Sequence, residues 1–202
     1  MEGSREAVID VLDTVVALTA RLRTLDRKRY RLGMWVICRE AMRWYEPVVD
    51  DGYRTLGAVT FSHGLAIANG VHGESELSQM VELAYDWDQR RSDSDNGPGK
   101  LNLTIVLRDL CLDFAGVDSN RRASKRVLVP FMDFPGIGWV PTGTGIRDEK
   151  PKRLETDHPV AKVLHEVGNL IVGLETGEFD ELSPSDVWRG VWPQSEPMGE
   201  VS

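Results

Sequence analysis

The chain has 202 residues, 41% of them hydrophobic and 28% charged, with a formal net charge of −8. That length and apolar content support one domain with a buried core and exclude disorder as the dominant state, because burial can offset chain entropy. The acidity repels phosphate and sets the chain apart from general nucleic-acid binders.

The opening residues MEGSREAVID show no basic stretch followed by an apolar run. The longest apolar runs, such as Leu32 to Cys38, are far too short to span a bilayer. The expectation is a cytoplasmic protein with no membrane association. Cys38 and Cys111 lie on apolar helical stripes without Cys-x-x-Cys spacing, so both are expected to be buried and reduced.

From Ser4 to Leu22 the residues Val8, Val11, Leu12, Val15, Leu18 and Leu22 recur at helical spacing and predict a first amphipathic helix. Asp26 is an N-cap type for a second helix reaching Glu46, where Pro47 stops it. Tyr53 to Asn69 is apolar nearly all round and predicts a buried central helix, with a strand over Leu56 to Phe61 as the competing assignment. Glu74 to Arg91 predicts a fourth helix, residues 92–100 a polar loop, and Leu101 to Ala115 a fifth helix closed by Gly116. Prolines and glycines break helix throughout residues 129–157, so a long irregular excursion is expected there, either functional or holding short strands. Pro159 to Leu174 predicts a sixth helix. Ser183 to Asp186 reads as a capping box for a short last one, and residues 193–202 as a loose tail. The fold class that follows is mainly α, a single-domain bundle of about six helices.

Charge is uneven along the chain. Arg21, Arg23, Arg27, Lys28, Arg29 and Arg31 cluster around Asp26, and Arg121, Arg122, Lys125 and Arg126 form a second basic group. Glu74, Glu76, Glu82, Asp86, Asp88, Asp93 and Asp95 make an acidic stretch that could steer a basic protein partner.

Catalytic and ligand motifs are incomplete. His165-Glu166 starts a zincin-like string, but Asn169 stands where the second histidine is needed, so no metal is expected. Asp93, Asp95, Asn96 and Gly97 are out of register for a calcium loop. Gly136-Ile137-Gly138 and Gly143-Thr144-Gly145 lack the flanking strand and helix of a phosphate cradle, so no cofactor is expected. Thr60-Phe61-Ser62-His63-Gly64 is one glycine short of a nucleophile elbow, which makes Ser62 the one catalytic candidate, with Asp133 and His158 as its partners. Phe131, Phe134 and Trp139 stand out in the Pro/Gly-rich segment, either as plugs onto the core or as a recognition surface.

The stretch from Leu32 to Gly70, LGMWVICREAMRWYEPVVDDGYRTLGAVTFSHGLAIANG, has a helix carrying a Trp and Cys-x-Glu. An aromatic-plus-Pro break, an acidic turn and a second apolar helix follow. In this it resembles helical immunity proteins of bacterial polymorphic-toxin systems, and the resemblance implies a protein that binds and neutralises another. The sequence therefore points to a non-catalytic protein-binding role toward a basic partner, with Glu82, Asp86, Asp88, Asp93, Asp95 and Trp139 as candidate contacts. The alternative is a small-molecule-binding helical enzyme roofed by the Phe131 to Trp139 segment, or a serine-type hydrolase using Ser62.

Overall fold

The structure, a computed structural model, describes residues 8–91, 98–117, 120–134 and 153–193. Among these the chain forms eight α-helices, a 3-10 turn and two short strands, the mainly helical class expected from the sequence. No helix among the described residues is long and apolar enough to cross a membrane.

Strand β1 (Val8–Asp10) pairs antiparallel with β2 (Arg153–Glu155), with Ile9 opposite Leu154. The first helix, α1 (Val11–Thr24), therefore starts later than Ser4. The cause is Asp10, whose extended backbone and carboxylate, accepting the Asp13 N–H at 3.1 Å, make it the N-cap. Residues 4–7 of the expected helix lie outside the described residues.

Helix α2 (Arg27–Tyr45) begins after the expected cap, Asp26, which accepts the Arg29 N–H at 3.0 Å. It is the central helix, with 13 of its 19 residues buried. The sequence placed the centre one helix later, at Tyr53 to Asn69. Side-chain volume explains the difference. α2 carries Tyr30, Met34, Trp35, Ile37, Met42 and Tyr45, large enough to fill space on several sides. Helix α3 (Asp51–Ala68) is apolar mostly through small residues and is buried on one side only. The competing strand over Leu56 to Phe61 is helix throughout.

Helix α4 (Glu74–Arg91) has the bounds expected of it. Helix α5 (Pro98–Phe114) starts earlier than expected, because a proline fits the first turn of a helix. The polar loop thus ends before Pro98, and residues 92–97 lie outside the described residues. Gly116, with φ +79°, closes α5 in the left-handed region.

The expected irregular segment holds α6 (Val129–Met132) and β2, with residues 135–152 outside the described residues. Phe131 and Phe134 plug the core. Their rings meet Trp44 edge to face at 5.2 and 5.6 Å, and Phe134 also meets Tyr45 at 5.1 Å. Helix α7 (Pro159–Thr176) is capped by His158, whose Nδ1 accepts the Val160 N–H at 3.2 Å, and it ends at Gly177 with φ +81°. Helix α8 (Pro184–Val191) is capped by Ser183 as expected. Of the expected tail, residues 194–202 lie outside the described residues.

Two buried polar networks tie helices together. Glu40 is fully buried; its carboxylate accepts from Arg43, from Trp44 Nε1 at 3.0 Å and from Trp188 Nε1 at 3.1 Å, which docks α8 onto α2. The Tyr30 hydroxyl donates to Asp113 at 2.5 Å, joining α2 to α5. Cys38 and Cys111 are free and buried, and desolvation pushes both thiols well above their ordinary range.

Candidate protein-binding surface

Helices α3 and α4 form a paired outer surface, and what they bury determines what they leave outside. The Asp50 carboxylate caps α3 by accepting the Tyr53 N–H at 2.8 Å. That backbone bond, then the Arg90 guanidinium, holds its carboxyl below the usual range. On the inner side, Gly57 faces Met42 and Gly64 faces Trp35 and Phe114; a Cβ at Gly57 would lie 2.9 Å from Met42 Cε. The two glycines let α3 sit close on α2.

Trp87 fixes α4. Its Nε1 donates to Thr60 Oγ1 at 2.9 Å, and its ring meets Tyr53 at 4.9 Å. With Met80, Leu83, Ala84 and Trp87 turned inward, Glu82, Tyr85, Asp86 and Gln89 face out. Tyr85 is 69% exposed, unusual for an aromatic side chain. Between the helices lies an open groove of about 550 Å³ lined by Thr55, Leu56, Val59, Leu83, Asp86 and Arg90. Leu56 is half-buried and Val59 is 39% exposed, so two residues expected in the core line this groove.

The acids named from the sequence do not act as one set. Glu82 and Asp86 are one helical turn apart and share the outer face. Asp88, only two residues on, points away from them toward α5, 3.1 Å from Arg108 and 3.6 Å from Arg91. Its charge is locally offset. Asp93, Asp95 and Trp139 lie outside the described residues. Tyr85 was missed, although its place on the polar side of an amphipathic stripe was a legible signal.

Ser62 lies inside α3 with its side chain exposed. An elbow needs a strand before the serine and a tight turn at it, and helix occupies both places. Asp133 Oδ2 accepts from Asn102, and burial pushes its carboxyl upward; His158 is spent on the α7 cap. Among the described residues no hydrogen bond links Ser62, Asp133 and His158. Nor does any group of three His, Cys, Asp or Glu side chains there suit a metal ion.

Comparison with protein-family models, with curated proteins and with solved structures finds no match for this chain.

Proposed function

We propose that the protein is a non-catalytic binding protein whose α3–α4 surface recognises a basic protein partner. The observation that carries the proposal is the exposure of Tyr85, next in sequence to Asp86, an acid that lines the α3–α4 groove together with Leu56, Val59 and Leu83. An exposed aromatic flanked by charge and small apolar contacts is the composition of an interface anchor. The acids add attraction over roughly 8 Å at physiological ionic strength, which raises the association rate more than the final affinity. Neutralisation of a toxic partner, as the resemblance to helical immunity proteins implies, is the specific form proposed.

The test is comparative capture from an extract of the native host, with mass spectrometry as readout. Wild-type bait is compared with Glu82→Lys/Asp86→Lys and with Glu178→Lys, an exposed acid after α7. A basic protein retained by wild type and by Glu178→Lys, but lost by the double variant, is the expected result. Equal recovery on all three baits would remove α3–α4 as the recognition surface.

A further inference from the structure

The two basic groups of the sequence meet at one corner of the fold, where α1 ends, α2 begins and the 3-10 turn (Arg122–Lys125) packs against them. Arg121 makes the junction. Its backbone is left-handed, with φ 51°; its guanidinium donates to the carbonyls of Arg23 at 2.6 Å and Leu25 at 2.8 Å and lies 4.3 Å over the Tyr30 ring. The turn is thereby pinned beside α1 and α2. Arg23, Arg27, Lys125 and Arg126 are all exposed there.

These four cations differ from most of the other described arginines, Arg21 and Arg29 of the same corner included. Nine others, Arg43, Arg54 and Arg108 among them, are each ion-paired with a carboxylate. Arg23, Arg27, Lys125 and Arg126 have no ion pair among the described residues, in a chain whose net charge is −8. A second observation points the same way. Arg31, one helical turn beyond Arg27, is 6% exposed; it donates to the Phe114 carbonyl at 2.8 Å, yet its buried Nε has no partner. Burial, and then the charge of Arg27, push its pKa down. Asp26, the α2 cap, is the one acid at the start of that helix, and its first turn holds none. Arg21 and Arg29 at this corner are compensated by Glu175 and Asp180, while the four exposed cations have no such pair among the described residues, and an external anion would lower their mutual repulsion.

We propose that this corner is a docking surface for an acidic polypeptide segment, separate from the α3–α4 surface. Arginine forks match carboxylates. Val117, 65% exposed just after Gly116, offers an apolar contact close to Arg27, whose Nη2 lies 3.2 Å from where a Cβ on Gly116 would be. Nucleic acid fits less well. Tyr30, beneath Arg121, and Phe114, beneath Arg31, are both buried and offer no stacking platform for bases. The acidic remainder of the chain also opposes a long polyanion.

The test is fluorescence anisotropy of a labelled oligoglutamate peptide with the full chain at low salt. Wild type is compared with a triple variant, Arg27→Gln/Lys125→Gln/Arg126→Gln, and with Arg189→Gln, an exposed and acid-paired arginine on α8. The expected result is salt-sensitive binding that weakens about tenfold in the triple variant, the combined effect of neutralising three exposed cations, and is unchanged in Arg189→Gln. The triple variant should melt at or above the wild-type temperature, since it loses only repulsion. The proposal is overturned if wild type does not bind, if the triple variant binds equally, or if it melts lower. Stronger competition by a charge-matched oligothymidylate would instead assign the corner to nucleic acid.

Discussion

At the scale of single residues, Glu40 bears the most concentrated load. A carboxylate with no exposure, holding a guanidinium and two indole N–H groups, cannot be removed without leaving buried donors unmet. Glu40→Ala should cost about 3 kcal/mol in denaturant unfolding, toward the lower part of the range for broken buried pairs because Arg43 still reaches water. Trp188→Phe removes one hydrogen bond and should cost about 1 kcal/mol. Combined, the two should cost less than their sum, because they share the same bond. Strict additivity would show that α8 is held to α2 by packing alone. The thiols make a second residue-scale prediction. Cys38 and Cys111 are buried with thiols pushed upward, so a thiol reagent should label neither in the native protein and both after denaturation. Rapid native labelling would mean that α2 and α5 open readily.

At the scale of elements, α7 shows how a sequence pattern becomes a stability statement. Val160, Val163, Leu164, Val167, Leu170, Ile171 and Leu174 repeat at helical spacing and all are buried. Leu164→Ala should therefore cost about 2–5 kcal/mol, read as a lower unfolding midpoint at unchanged slope. A change under about 0.5 kcal/mol would contradict its burial. α2 was legible because cap, stripe and stop agree, and α4 and α7 because their apolar stripes run unbroken over several turns. The start of α1 was not, because Val8 and Ile9 continue the helical apolar spacing while Asp10 caps just after them. The rank of α2 over α3 was hidden for another reason: apolar composition does not distinguish large side chains from small ones. Of the candidate surface, Glu82 and Asp86 were legible as acids. The groove was not, since it exists only once α3 and α4 lie side by side.

At the scale of the whole molecule, acid should destabilise the fold. Asp50, held by its cap, and Glu175 and Asp180, held by hydrogen bonds from Arg21 and Arg29, all have carboxyls below their ordinary values of 3.8, 4.5 and 3.8. A carboxyl depressed in the folded state stabilises above its unfolded pKa, and that contribution is lost as pH falls through the folded value. The buried Asp133 has the opposite sign, since burial favours its neutral form and acid relieves it. Glu76, held by the Gly73 N–H, is lowered as well, so with four against one the melting temperature should fall as pH drops from about 5 to about 2. High salt should flatten the part due to the exposed Arg21–Glu175 and Arg29–Asp180 pairs. A flat profile would mean that these bonds are not held in solution.

The central claim, that α3–α4 is the recognition surface, is tested most directly by photocrosslinking in the native host. A photoreactive phenylalanine replaces Tyr85 in one strain and His165 in another; His165 is exposed on α7, a helix that packs on α1, α2, α6 and α8. The account predicts a discrete adduct with a basic protein from position 85, abolished by Glu82→Lys/Asp86→Lys, and none from position 165. No adduct at 85, or the same adducts from both positions, would contradict it.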